Sequence, residues 1–198
     1  GKLCPADNLQ AIADYGGKFV PILPRTRRED ARFRDKLRQQ PARWRTLLKI
    51  PNRRRNDEPP DLYSMCAGPA ATDDGYRLIW VRSSQKARLD AQVRLDEIRK
   101  AEIEARELSL NRRALKTAHS IRQAVRAILK RRRCESFLAF SLHRYTETTT
   151  RYLRRGRPRP NDPVRTVKRS HWRLKLQREV DALRRESHTD GVFPLVTN

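Results

Sequence analysis

The sequence has few cysteines, half as many acidic as basic residues and no long apolar run. Each of these shortages excludes some classes of protein. No apolar stretch approaches the roughly twenty residues of a membrane-spanning helix, so we expect no transmembrane segment. Cys4, Cys66 and Cys134 are odd in number and far apart, which fits neither a disulfide framework nor the paired ligands of a zinc site. We therefore expect the cysteines, and the four equally scattered histidines, to be packing or surface residues in a reducing, cytoplasmic compartment.

The short motifs of common catalytic sites are also missing. The chain contains no G-x-S-x-G, no glycine-rich phosphate loop and no H-E-x-x-H. Asp73 and Asp74 directly precede Gly75, and a pair of acids before a glycine is more typical of a turn than of a metal site. The residues alone therefore predict no catalytic or metal site.

Basic residues dominate what is present. The chain has 46 Lys and Arg against 23 Asp and Glu, which gives a formal net charge of +23 and a pI near 11.2. A pI this high makes nucleic-acid binding the leading hypothesis. Because 37% of the residues are apolar and are grouped with clear periodicity, we expect a folded core rather than a disordered basic tail.

The longest periodic stretch, residues 84–133, predicts a helical hairpin. Its apolar residues step by threes and fours in two runs, which is typical of helices with one buried stripe. An interruption at residues 109–111 separates the runs, so we expect two antiparallel helices with their stripes together. The stripes are Ala91, Leu95, Ile98, Ala101, Ala105 and Leu108, then Leu115, Ala118, Ile121, Val125 and Ile128.

The two arms of this hairpin differ in charge. The first arm has six basic and six acidic residues, and we expect pairs four apart to neutralise one another: Asp90 with Arg94, Asp96 with Lys100 and Glu102 with Arg106. The second arm, residues 111–133, has nine Lys or Arg and no acid, which predicts an uncompensated field suited to a polyanion. A merely solvated surface is the alternative. The DNA-binding candidates on this arm are Arg122, Arg126, Lys130, Arg131, Arg132 and Arg133.

Short helices and strands around the helical hairpin predict an α+β fold with antiparallel strands. Residues 40–61 contain four prolines and lose their periodicity, so we expect an extended connection there. The other predicted elements are a helix at 5–15, a helix from a Thr26-x-x-Glu29 capping box to Gln39, paired strands at 62–67 and 76–82, a helix at 180–188 and a strand at 192–196. The run at 18–24 is strand-like, but Pro21 cannot donate to a ladder, so we expect either that its position faces a sheet edge or that the strand is locally irregular.

Residues 137–176 predict a long β-hairpin with a basic tip. The stretch 137–152 is rich in Phe, Leu, Tyr and Thr, and the stretch 164–176 ends in an alternation of apolar and polar residues. The tip comprises residues 154–163. Within it, Arg155-Gly156-Arg157-Pro158 resembles the AT-hook, whose arginines enter the narrow minor groove of A·T-rich DNA. Minor-groove insertion, non-specific phosphate contact and a plain basic loop all remain open. The DNA-binding candidates here are Arg154, Arg155, Arg157 and Arg159.

Both ends of the chain carry a family resemblance. The opening G-K-L-C-P-A-D-N-L-Q-A-I-A-D-Y-G-G-K-F-V-P-I-L-P-R-T-R-R-E-D and the closing D-G-V-F-P-L-V-T-N resemble the flanks of the insertion domain in bacterial insertion-sequence DDE transposases. The stretch Y-R-L-I-W-V-R-S-S-Q-K, the helical hairpin and the G-R-P-R loop are similar to that group as well. The resemblance thus covers essentially the whole chain, more weakly at residues 40–61.

The resemblance implies an internal fragment of a two-metal phosphoryl-transfer enzyme. Residues 1–23 and 191–198 would belong to an RNase H-like catalytic core, and residues 24–190 to the inserted domain. The three carboxylates that hold Mg²⁺ in the family would lie outside this chain, so no catalytic residue is assigned and no metal is expected to bind here. The implied partner is double-stranded DNA at transposon ends, with a homodimer of the intact, nucleoid-associated protein.

Two other classes of protein fit parts of the same pattern. A stand-alone RNA- or DNA-binding structural protein of ribosomal type has the same charge and size. An interaction module would pair the helical hairpin with an acidic partner helix, but the two apolar stripes are already needed to satisfy each other.

Overall fold

The computed structural model describes residues 6–51, 59–110, 117–153, 157 and 163–198, and shows an α+β fold with antiparallel sheets. The described residues fall into two compact units. The first comprises the described parts of Gly1–Leu95 and Asp181–Asn198, and the second lies within Asp96–Val180. The elements in chain order are α1 (Ala6–Asp14), α2 (Arg28–Gln39), β1 (Arg45–Ile50), β2 (Asp61–Cys66), β3 (Arg77–Ser83), α3 (Ser84–Leu110), α4 (Ala118–Arg131), β4 (Leu138–Tyr152), β5 (Val164–Arg178), α5 (Val180–Ser187) and β6 (Val192–Thr197).

The first unit is built on a four-stranded antiparallel sheet in the order β1-β2-β3-β6. Its core centres on Trp80 of β3, which is 1% exposed and lies 4.0 Å, ring to ring, from Phe33 of α2. The indole N–H of Trp80 donates to the carbonyl of Pro69, so burying this polar group leaves no unmet hydrogen bond. The predicted pair of strands around the 72–75 turn is confirmed as β2 and β3.

Residues near the two chain ends lie side by side in this unit. Ile22 forms an isolated antiparallel bridge with Leu195, the amide of Leu23 donates to Pro194 at 2.9 Å, and the amide of Val196 donates to Pro21 at 3.0 Å. Of the two alternatives for residues 18–24, the structure shows the irregular one. Pro21 and Pro24 have no amide hydrogen, so only the single bridge at Ile22 forms in this run. The division at residues 23 and 191 into core and insertion stays a prediction.

The predicted capping box before α2 is also wrong. The helix begins at Arg28, and the residue before it, Arg27, makes no side-chain cap. Glu29 instead accepts a hydrogen bond of 3.0 Å from the amide of Asp73. Glu29 therefore makes a tertiary contact in place of the local capping hydrogen bond that the sequence pattern predicted.

Strand β1 corrects the prediction of an extended connection over residues 40–61. Residues 45–50 pair with β2 through a register shift between Thr46 and Leu48. All six residues are exposed, so the strand shows none of the alternation that marks a half-buried strand.

The second unit contains the predicted helical hairpin. The two helices run antiparallel, because residues at the end of α4 bond to residues 97–104 of α3. The hydroxyl of Thr117 caps α4 by accepting from the amide of Ser120 at 3.2 Å. Leu95, predicted to be in the buried stripe, is 45% exposed, and Leu115 lies outside the described residues. Among the described residues, the buried apolar positions of the hairpin are Ile98, Ala101, Ala105, Ile121, Val125, Ile128 and Leu129.

The predicted β-hairpin is confirmed as a two-stranded antiparallel ribbon. Strands β4 and β5 are in register over fifteen residue pairs, from Leu138 opposite Arg178 to Tyr152 opposite Val164. At roughly 3.4 Å per residue the ribbon is about 50 Å long. Its base is anchored, because Leu138 is 2% exposed and Arg178 makes two hydrogen bonds, of 2.7 and 2.9 Å, to Glu102 of α3.

Candidate nucleic-acid interface

The two faces of the ribbon differ, because one is apolar near the base and the other carries an excess of cations. Residues directly opposite each other share a face, and successive residues alternate between faces. Near the base, one face carries Leu138, Phe140, Leu142, Leu174 and Leu176, all buried or half-buried. We define the basic face as the other side, formed by Ser141, His143, Tyr145, Glu147, Thr149 and Arg151 of β4 with Arg165, Val167, Arg169, His171, Arg173 and Lys175 of β5.

The basic face holds five Lys or Arg side chains and one acid, Glu147. All five cations are exposed. A charge excess of this kind on an exposed surface attracts a polyanion and releases counterions from it.

Arg151 and Arg165 stand directly opposite each other near the outer end of the basic face. Like charges at directly opposed positions destabilise an antiparallel pair. Neither side chain forms an ion pair with any residue that the structure describes. A phosphate group placed between the two guanidinium groups would remove this repulsion, so the pair is suited to an anionic ligand.

Of the four candidates in the ribbon tip, Arg157 is described and is exposed. Arg154, Arg155 and Arg159 lie outside the described residues, so the AT-hook hypothesis stays a prediction. The amide of Leu153 donates to the carbonyl of Pro163 at 3.0 Å, which extends the ribbon by one step beyond its last paired residues. The tip therefore begins directly after this bond.

Helix α4 presents a second basic surface. Arg122, Arg126 and Lys130 are four residues apart and exposed, so they form one stripe along the helix, which we call the α4 stripe. Arg133 is exposed just beyond the end of the helix, at a φ of 55°. Residues that are four apart on a helix lie about 6 Å from each other along its axis, which matches the spacing of phosphates on one DNA strand to within a few ångströms.

Arg131 and Arg132 have partners on α3. Both bind the carboxylate of Glu104, and Arg132 also donates to Glu97 at 3.1 Å. The hydrogen bonds from Arg132 and Arg131 lower the pKa of Glu104, and those to Glu104 and Glu97 raise the pKa of Arg132. The field of α4 is therefore compensated at these two positions, contrary to the expectation of a uniformly free arm.

The acidic residues of α3 bond to other elements more than to neighbours on their own helix. Glu102 binds Arg178 of β5, and this hydrogen bond, with the charges of Arg178, Arg106 and Arg99, outweighs the opposing effect of burial and leaves the pKa of Glu102 lowered. Lys100 pairs with Glu97 at 2.7 Å rather than with the predicted Asp96. In the first unit, Arg94 makes two 2.7 Å hydrogen bonds to Asp190 instead of pairing with Asp90.

The cations of the ribbon itself were missed as candidate sites. The alternation of residues 172–177 already separates Arg173 and Lys175 from the apolar residues. Extending that period back along the strand assigns Arg169 and Arg165 to the same face. The missing information was the register, which alone shows that Arg151 lies on this face too.

Within the described ranges, no three His, Cys, Asp or Glu residues come together to hold a metal ion. A cavity of about 390 Å³ in the first unit is lined by Phe33, Leu37 and Cys66, with Lys36 and Arg43 also at its wall. Burial raises the pKa of the Cys66 thiol to about 11, so very little of it is the nucleophilic thiolate at neutral pH.

Among the described residues, none of the helices combines the length and the apolar character needed to cross a membrane. Comparisons with protein-family models, with curated proteins and with solved structures find no match.

Proposed function

We propose that the chain binds double-stranded DNA as part of a DDE transposase, with the basic face of the ribbon, the ribbon tip and the α4 stripe as its contact surfaces. The observation that carries the proposal is the basic face. It is a long exposed surface with five cations and one acid, and two of its arginines oppose each other without a protein partner among the described residues.

The shape of the ribbon supports a duplex as the ligand. The major groove of B-DNA is about 12 Å wide and admits a two-stranded β-ribbon. A ribbon about 50 Å long equals the axial length of roughly fifteen base-pair steps of 3.4 Å. Side chains at the centre of such a ribbon face the base edges, and those near its margins and outer end reach the phosphates.

The family resemblance supplies the wider role. In a DDE transposase the bound DNA is the transposon end, and three carboxylates with Mg²⁺ cleave and transfer its strands. The resemblance implies that these three carboxylates lie outside this chain, so no catalytic step is assigned to it. The antiparallel bridge between Ile22 and Leu195 supports the idea that the two flanks of the inserted region belong to one core.

Salt-dependent binding of labelled duplexes tests the proposal. The basic face and the α4 stripe together offer eight exposed cations, so full engagement predicts a slope of log Kd against log salt near 7 in magnitude, at about 0.9 for each phosphate. Fluorescence anisotropy between about 50 and 200 mM NaCl should show tight binding that weakens by orders of magnitude. Incubation with Mg²⁺ should leave a supercoiled plasmid uncut.

Matched RNA duplexes and hairpins separate the main competitor. A two-stranded ribbon cannot enter the deep, narrow major groove of A-form RNA, so we expect duplex DNA to bind more tightly than duplex RNA of the same sequence. A clear preference for structured RNA would instead support a structural protein of ribosomal type. A shallow salt dependence with every ligand would contradict both.

A further inference from the structure

Three side chains pack together in the middle of the basic face. Tyr145 and His171 are opposite each other in the ladder, with ring centroids 5.6 Å apart. The guanidinium carbon of Arg173 lies 5.1 Å from the centroid of the Tyr145 ring. Nε2 of His171 is 3.3 Å from the Glu147 carboxylate, which fixes the far side of the group.

This packing sets Arg173 apart from the other cations of the face. A guanidinium that rests over an aromatic ring has fewer accessible rotamers and one side shielded from water, while the edge that carries its N–H donors stays available. Arg173 is exposed despite this contact. Ordering it on a ligand therefore costs less conformational entropy than ordering a freely moving arginine or lysine.

We infer that Arg173 reads a guanine base in the major groove, with Tyr145 as the residue that positions it. The inference rests on the proposed function, since it requires the ribbon to lie in the groove of a duplex. An arginine fork that donates to O6 and N7 of guanine is the commonest specific contact in the major groove. This contact requires the guanidinium to point in one direction, and a pre-positioned guanidinium at the centre of a ribbon face can do so. A phosphate contact imposes no such requirement.

The test begins with selection from a randomised duplex library by the wild-type chain and two variants. Arg173→Lys keeps the charge and removes the fork, and Arg144→Lys makes the same change on the opposite face of the ribbon, outside the basic face. We expect the wild type and Arg144→Lys to enrich the same guanine. The Arg173→Lys variant should lose it while binding an A·T-only duplex with an unchanged salt slope, because the number of charges is the same.

Replacing the enriched guanine by 7-deazaguanine removes its N7 acceptor and leaves base pairing intact. We expect the wild type to lose about tenfold in affinity, within the range of one bidentate pair, and Arg173→Lys to lose nothing further. Tyr145→Leu should weaken the preference and Tyr145→Phe should keep it, since the phenylalanine retains the ring.

The possible failures are distinct. Tight, salt-dependent duplex binding without guanine enrichment, or equal sensitivity of wild type and Arg173→Lys to 7-deazaguanine, overturns the inference and leaves the proposed function standing. Absence of duplex binding by the wild type overturns both. Circular dichroism and thermal melting of each variant exclude unfolding as the cause.

Discussion

At the scale of single residues, Asp61 joins the sheet of the first unit to the start of α3. Its carboxylate accepts hydrogen bonds from the hydroxyls of Ser83 and Ser84 and from the amide of Gln85 at 2.9 Å. An acceptor in this position satisfies donors at the first turn of the helix, as an N-cap residue does. Burial raises the pKa of Asp61, but these hydrogen bonds outweigh burial and leave it below its ordinary value.

Asp61→Asn should lower the free energy of unfolding by about 1–2 kcal/mol at pH 7, because an ionised acceptor becomes a neutral amide. The folded-state pKa of Asp61 is depressed, so its stabilisation is present above the unfolded-state pKa of about 3.9 and is lost as the pH falls through the folded-state value. Urea unfolding should therefore show the variant and the wild type converging in stability below that range.

The matched control is Asp73→Asn, an exposed carboxylate 3.6 Å from Arg32. An exposed ion pair contributes little, so the control should stay within about 0.5 kcal/mol of the wild type at both pH values. If Asp61→Asn remained less stable than the wild type by the same free energy at acidic pH, the loss of stability would come from altered packing rather than from the lost charge.

Arg34 shows why single residues limit prediction from the sequence. It sits in a helix of mostly charged residues, and nothing in the local pattern separates it from its neighbours. In the structure it is 7% exposed, pairs with Asp30 at 2.7 Å, and donates to the carbonyls of Thr189 and Val192. The two carbonyls lie more than 150 residues away along the chain, so only the fold identifies this arginine as a structural residue.

At the scale of elements, periodicity was a good guide where one face is buried and a poor one elsewhere. The helices of the hairpin follow their predicted period except at Leu95, and strand β5 follows the alternation predicted for residues 172–177, because each has an apolar side. Strand β1 was missed since it is exposed along its whole length. The cations on α4 were found from composition, but which of them have acidic partners depended on how α3 packs against α4.

Because some α4 cations have acidic partners and others do not, we expect two sets of substitutions to affect DNA binding and stability differently. Changing the α4 stripe, Arg122, Arg126 and Lys130, to Gln should weaken duplex binding and reduce the salt slope by up to about 3, at 0.9 per phosphate. The melting temperature should hardly change, because these side chains are exposed. Anisotropy titrations and thermal melts monitored by circular dichroism measure both quantities.

Changing Arg131 and Arg132 to Gln serves as the comparison. These substitutions remove the contacts to Glu104 and Glu97, so we expect a lower melting temperature and a smaller effect on the salt slope than for the α4 stripe. Equal loss of binding in the two sets would mean that Arg131 and Arg132 exchange their glutamates for phosphates when DNA binds.

At the scale of the whole molecule, the second unit consists of a small core and a long extension. A two-stranded ribbon is marginally stable by itself, so its base must be held by other elements. The contacts that hold it are Leu138 in the core, the pair between Arg178 and Glu102, and the bond of 2.9 Å from the amide of Glu179 to Phe137. The outer part of the ribbon adds charge rather than core, and ligand binding is the role that this arrangement favours.

Shortening the ribbon separates that role from folding. Tyr145 and His171 are partners in the ladder, so replacing residues 146–170 by Asn-Gly closes the remaining strands with a two-residue type I′ turn. The change removes eight Lys or Arg and two acids, including three of the five cations of the basic face. We expect near-unchanged helicity and melting temperature, a loss of at least tenfold in duplex affinity near 150 mM salt, and a salt slope lower by several units.

A full-length variant with Arg151, Arg165, Lys168 and Arg169 changed to Gln is the matched control, because it keeps the length of the ribbon and removes half of those eight cations. If charge carries the binding, this variant should lose about half of the slope change seen on shortening, since each phosphate contributes equally to the slope. Binding that survives neutralisation but not shortening would assign the affinity to groove shape and base contacts. Binding that survives both changes would exclude the ribbon as the DNA-binding element and leave the α4 stripe as the remaining described surface.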